Sequence, residues 1–90
     1  MRVHTFIIHA DVERQDLIAI SAMSSRFVSD IRLEYAIGAD TYHVDVKSLL
    51  GMLSLPIKAG TELRLVVKGK DDEEALEEVF ARFQALEKHP

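Results

Sequence analysis

The chain predicts an α+β protein, a two-layer sandwich of element order βαββαβα in which a sheet buries one face under helices. Three observations carry that expectation. Ile31, Leu33 and Tyr35, and again Tyr42, Val44 and Val46, alternate with polar residues at the two-residue period of half-buried strands. Leu76, Val79, Phe80, Phe83 and Leu86 recur at the helical period within DDEEALEEVFARFQALEKH. Ninety residues, 48% of them hydrophobic, describe one small domain over 1–90 that buries roughly 60 to 65% of its unfolded surface.

Taken in order, residues 2–8 are rich in β-formers (Val3, Thr5, Phe6, Ile7, Ile8) and form the first strand, ended by the polar loop HADVERQ. In DLIAISAMSSRF, the apolar residues Leu17, Ile20, Met23 and Phe27 lie three or four apart, and Asp16 suits the first turn, where the helix dipole favours a negative charge. Two strands follow, with the glycine of AIGAD supplying a turn between them and an antiparallel hairpin as the natural pairing. Ser48 opens a short helix that stops near Pro56, because proline disfavours the helical region for the residue before it. TELRLVVKG is the fourth strand, with Leu63, Leu65 and Val67 on one face and Gly69 closing it. The last helix carries four acids at its start and Lys88 and His89 near its end, in accord with the dipole.

The absence of cysteine excludes disulfides, thiolate metal sites and thiol nucleophiles, so stability must come from the core. The net charge of −4 argues against a phosphate-backbone binder. No apolar run approaches the roughly 18 residues that cross a bilayer, and the run Phe6 to Ile8 is too short for a signal peptide, so a cytoplasmic location is expected. The glycines are scattered, which gives no phosphate loop, and the paired acids at 71–74 read as a solvated helix start. No cofactor and no metal site are expected. Of the four histidines, His4 and His43 are explained by solvent-facing strand positions and His89 by the last helical turn. His9 stands where a strand runs into the loop ahead of a helix N-terminus.

DVKSLLGMLSL, residues 45–55, poses the sharper question of why a hydroxyl precedes a short apolar run. Serine is a favoured N-cap, its oxygen accepting from a first-turn N–H that is otherwise unpaired. Leu49, Leu50, Met52 and Leu53 surround so short a helix rather than forming one stripe, so some must be exposed. An apolar patch beside Ser48 and Lys47 is a docking surface in which an added phosphate would meet the helix dipole and the lysine. Both readings, structural cap and regulatory site, stay open on these grounds.

The segments IRLEY, VKSLLGMLSL, KAGTELRL and KDDEEALEEV resemble the histidine-containing phosphocarrier family, HPr, of the sugar phosphotransferase system, over nearly the whole chain. KSLLGMLSL is the most specific part and looks like the regulatory serine helix of HPr proteins and of their paralogue Crh. The resemblance implies an open-faced sandwich, a four-stranded antiparallel sheet with three helices on one face, and phosphorylation of Ser48 by a bifunctional kinase/phosphorylase. It also marks a departure. The family's phosphoryl-accepting histidine, with the arginine and proline that follow, aligns here with Glu13, Gln15 and Asp16. A carboxylate cannot replace an imidazole in this step, which needs a nitrogen nucleophile that titrates near neutrality, and its charge repels a phosphoryl donor. Gln15 in place of the arginine puts docking to the catabolite control repressor in question, and the hairpin AIGADTYHVD is longer than the family's by four residues.

The expected function is therefore a non-enzymatic regulatory or adaptor domain. Its site residues are Ser48 as the phosphorylation switch and Lys47, Leu49, Leu50, Met52, Leu53 and Gln15 as the partner surface. The expected partners are proteins, the kinase/phosphorylase or a transcriptional regulator, with neither nucleic acid nor membrane. Two alternatives stand beside it. One is a phosphocarrier acting through His9, and the other is a plain cap at Ser48, with function carried by the hairpin at 36–43 or by self-association through the first strand.

Overall fold

In the computed structural model, which describes residues 1–54 and 56–86, the chain runs β1 (Arg2–Ile7), α1 (Arg14–Ser24), β2 (Asp30–Ile37), β3 (Asp40–Asp45), α2 (Leu49–Ser54), β4 (Glu62–Lys68) and α3 (Asp72–Leu86). The order is the expected βαββαβα. The four strands form one antiparallel sheet in the order β1-β4-β2-β3. Periodicity fixes which residues share a face. It does not dictate this order, which requires the last strand to insert between the first two.

The core lies between the sheet and the helices. Leu63, Leu65 and Val67 of β4 are fully buried, flanked by Ile31, Leu33 and Tyr35 of β2 through the register Ile31↔Val67, Leu33↔Leu65 and Tyr35↔Leu63. Ala75, Val79 and Phe83 of α3, spaced by four, bury completely against them, while Leu76, Phe80 and Leu86 flank this line half-buried. Phe6 joins from β1, its ring 4.9 Å from Phe80 and 5.7 Å from Phe83. Fully burying side chains of this size is worth about 1.5–3 kcal/mol each. The sequence positions Lys88 and His89, expected near the end of α3, lie outside the described residues.

Two elements differ from their sequence expectation. The spacing of α1 carries its stripe to Phe27, yet the helix ends at Ser24. Arg26 and Phe27 donate to the carbonyls of Met23 and Ser24, three residues back, which tightens the exit into a turn. Phe27 still reaches the core, but from the loop. The buried line of α1 is Leu17, Ile20, Ser21 and Ser24, so two small hydroxyl residues supply positions where an apolar stripe leads one to look for bulk. The connection AIGAD, expected as a turn, is mostly strand: β2 runs to Ile37 and β3 starts at Asp40, and these two pair across a two-residue turn. Gly38 alone has φ of +62°, as a type II′ turn requires at its first central position. Among the described residues no helix is long and apolar enough to cross a membrane.

Candidate functional site

Ser48 is built by the turn that precedes α2. Its N–H donates to the carbonyl of Asp45 at 2.9 Å, and the Asp45 carboxylate accepts from the N–H of Lys47 at 3.0 Å, which fixes the approach to the helix. The Ser48 hydroxyl oxygen then accepts from the N–H of Gly51 at 3.2 Å while its carbonyl accepts from Met52 at 2.9 Å. This is an N-cap with one orphan donor satisfied. Ser48 is half-buried. Gly51 makes the arrangement fit: a Cβ there would lie 2.9 Å from Cγ2 of Val44 in β3 and 3.3 Å from the Ser48 hydroxyl.

The apolar run divides as a short helix demands. Met52 is buried and Leu53 packs on the core, whereas Leu49 is 43% exposed and Leu50 is 83% exposed. Ile18 of α1, the helix packed on α2, is exposed as well. Lys47 has a structural task beyond the one expected of it. Its ammonium donates to the carbonyl of Phe27 at 2.6 Å, tying the exit of α1 to the entry of α2. Spacing alone gives no sign of that contact, because its partners are twenty residues apart.

The loop before α1 is held mainly through its backbone. Val12 bridges Ile57, with its N–H 3.0 Å from the Ile57 carbonyl, and the Asp11 carboxylate accepts from the N–H of Ala59 at 2.8 Å. Glu13 is the N-cap of α1: Leu17 donates to its carbonyl at 3.0 Å, and its own N–H donates to the Asp16 carboxylate at 3.1 Å. Asp16 thus does what a third helical residue does in a capping box. Glu13 and Gln15 are both exposed at this helix start. His9 is exposed beyond the end of β1 and lies four residues before the cap.

Other expectations need correction. His4 does not face solvent. It points into the helix layer, half-buried, with its ring 4.4 Å from Phe80 and 5.8 Å from Phe6. His43 does lie on the open sheet face, its Nδ1 3.4 Å from the Glu34 carboxylate, which also meets Arg64 at 3.7 Å. The acids at 71–74 are not simply solvated. Asp71 accepts from the N–H of Val28 at 3.0 Å, the N–H of Ser29 at 2.9 Å and the Ser29 hydroxyl at 2.5 Å. The Ser29 hydroxyl, outweighing partial desolvation, holds the Asp71 carboxyl below the usual aspartate range, and the two N–H donors add to this. Asp72 and Glu73 each meet Arg2 at 3.2 Å. Sequence reasoning missed the Asp71 clasp because the bond joins positions 42 residues apart, beyond any local period.

Comparison with known proteins agrees with this geometry. The family model described as "PTS HPr component phosphorylation site" matches residues 15–85. HPr-like protein Crh of Bacillus subtilis is 41% identical over 61 residues, covering 68% of this chain and 67% of that protein. Phosphocarrier protein HPr of Treponema pallidum is 36% identical over 75 residues, covering 83% and 81%. The crystal structure of a phosphocarrier protein HPr from Bacillus anthracis superposes with a TM-score of 0.78 at 26% identity, covering 90% of this chain and 94% of that one. The chain belongs to the HPr family of the phosphotransferase system, and Glu13 stands just outside the segment that the family model matches.

Proposed function

We propose that this domain is a non-catalytic, cytoplasmic regulatory module of the phosphotransferase system, switched at Ser48 and read by a protein partner on Leu49, Leu50 and the flanking helix α1. One observation supports the reading: Glu13, which the sequence resemblance aligns with the family's phosphoryl-accepting histidine, is the N-cap of α1, while Ser48 caps α2 through its hydroxyl. A carboxylate there leaves no nitrogen to carry phosphate between proteins. The Ser48 hydroxyl, by contrast, borders two exposed leucines. A phosphoryl group on it would still accept from the first-turn amides, so its effect would be charge presented to a partner rather than melting of α2.

The test is incubation with ATP and an HPr kinase/phosphorylase, followed by mass mapping of the label. The expected outcome is phosphate on Ser48, none on Ser48→Ala, and an unchanged fold by circular dichroism. In parallel, phosphoenolpyruvate with the general phosphotransferase enzyme should leave no acid-labile phosphate. Label on His9 in that arm would replace the proposal with a phosphocarrier, and absence of label on Ser48 would leave α2 as a docking helix without a switch. Ser48→Ala itself should cost about 1 kcal/mol through the lost cap.

A further inference from the structure

On the reading of α2 as a docking helix, we infer that Lys47 is a positioning residue. Its ammonium, bound to the carbonyl of Phe27, seats α2 beside α1 so that Ile18, Leu49 and Leu50 form one face for the partner. Lys47, expected among the residues that touch the partner, acts instead from behind them.

A helix as short as α2, six residues long, cannot hold itself in place. Its internal bonds settle its shape: Gly51 donates to the Ser48 hydroxyl, Met52 to the Ser48 carbonyl, and the Ser54 hydroxyl to the Leu50 carbonyl at 2.6 Å. None of them settles where the helix lies. Met52 and Leu53 hold it on the core, but apolar burial is non-directional and leaves the helix free to turn or slide. Among the described residues, the bond from Lys47 to Phe27 is the one hydrogen bond that leaves 47–54 for a residue outside 45–54.

The far end of that bond is a fixed point. The Phe27 ring is buried in the core, its N–H donates to the Ser24 carbonyl at 3.2 Å, and the two N–H groups that follow, those of Val28 and Ser29, donate to the Asp71 carboxylate. A carbonyl clasped on both sides sets the position of the lysine rather than following it. The exit of α1 calls for cations as well, because a helix C-terminus presents unpaired carbonyls and the negative end of the dipole, and its last turn has no basic residue. Arg26, just beyond the helix, donates to the Met23 carbonyl at 3.4 Å, and Lys47 serves Phe27 at 2.6 Å. The second cation belongs to another element, so one bond both closes α1 and places α2.

The test measures phosphorylation of Ser48 by an HPr kinase/phosphorylase with ATP, at a temperature where every variant is folded. Lys47→Met keeps the side-chain length but has no N–H to donate, and it should lower kcat/KM about tenfold, mainly through KM, a factor typical for loss of a hydrogen bond from a charged donor. Lys47→Arg, which can still donate to the carbonyl, should restore most of that loss. Asp71→Ala releases the Phe27 anchor from its other side, so it should lower kcat/KM too, and the double variant with Lys47→Met should be no worse than Lys47→Met alone. Direct contact between Lys47 and the kinase would instead multiply the losses and leave Asp71→Ala at the native value, which would overturn the inference. Hydrogen exchange supplies a readout that needs no kinase: the amides of Gly51 and Met52 should exchange faster in Lys47→Met than in the native chain, with that of Leu65 at the sheet centre unchanged. If the native chain takes no phosphate on Ser48, the switch falls and this comparison still decides the role of Lys47. Equal exchange in the two proteins, or a native kcat/KM in Lys47→Met, would refute it.

Discussion

Gly51→Ala tests how closely the serine helix is fitted to the sheet. In an exposed helix interior this change should stabilise by about 1 kcal/mol, because glycine leaves more chain entropy to lose. Here the added Cβ would stand 2.9 Å from Cγ2 of Val44 and 3.3 Å from the Ser48 hydroxyl. Neither neighbour yields easily. Val44 is a buried strand residue with a stiff χ1, and the Ser48 oxygen is held by the very N–H that residue 51 donates. Overpacking of this kind costs about 1–3 kcal/mol. Subtracting the propensity gain leaves a net loss of roughly 1 kcal/mol, a fall in Tm of about 4–8 °C for a domain of this size. Thermal melts of the two proteins decide it, and an unchanged or raised Tm would refute the fit. A double-mutant cycle isolates the cause. Val44→Ala removes Cγ2, so the double variant should be about 1 kcal/mol less destabilised than the sum of the singles. Additive costs would show that the clash with Val44 is not what limits residue 51.

Two further predictions concern the loops that meet at Ser29. A Cβ at Gly69, whose φ is +154°, would stand 2.5 Å from the Ser29 hydroxyl oxygen and 2.6 Å from its Cα, so Gly69→Ala should cost about 3 kcal/mol in urea unfolding. The depressed carboxyl of Asp71 contributes stability that is present above the ordinary aspartate value and is lost as pH falls through its lower folded-state value. The decline in Tm on acidification below about pH 4 should therefore be shallower in Asp71→Asn than in the native chain. Equal slopes would show that the Ser29 clasp does not set the acid response.

What could be read ahead of the structure follows from how far apart the interacting residues are. Strand faces and the α3 stripe depend on neighbours two to four positions away, and they emerge as expected for Leu63, Leu65, Val67, Val79 and Phe83. The Ser48 cap is a three-residue relation and was equally open to inspection. The insertion of β4 between β1 and β2, the Lys47 bond to Phe27 and the Asp71 clasp join residues 20 to more than 40 positions apart, and no local period encodes them. His4 shows the same limit from another side. Its polarity suggests an outward position, but its parity with Phe6 and Ile8 sends it inward, and a ring can pack where a charge could not. Short buried residues are the hardest to see, since Ser21, Ser24 and Ser29 occupy core positions without any apolar signal.

The same long-range bonds hold the start of α1 without calling on the side chain of residue 13. The loop before α1 is fastened by Asp11 to Ala59 and by Val12 to Ile57, and the far end of α1 by Phe27 to Lys47. None of these uses the side chain of Glu13. What α1 asks of its cap is a carbonyl for Leu17 and an N–H for Asp16, which any residue but proline supplies. Phosphoryl transfer, in contrast, asks for one specific ring nitrogen at that position. Under the proposed alignment of Glu13 with the family's histidine, a histidine-to-carboxylate difference would leave these bonds in place and remove the ring nitrogen that phosphoryl transfer needs. Ser48 is placed differently: its hydroxyl accepts from the N–H of Gly51 at 3.2 Å, and a Cβ on residue 51 would stand 2.9 Å from Cγ2 of Val44 and 3.3 Å from that hydroxyl. A side chain added at residue 51 therefore disturbs the packing on β3 and the serine cap together.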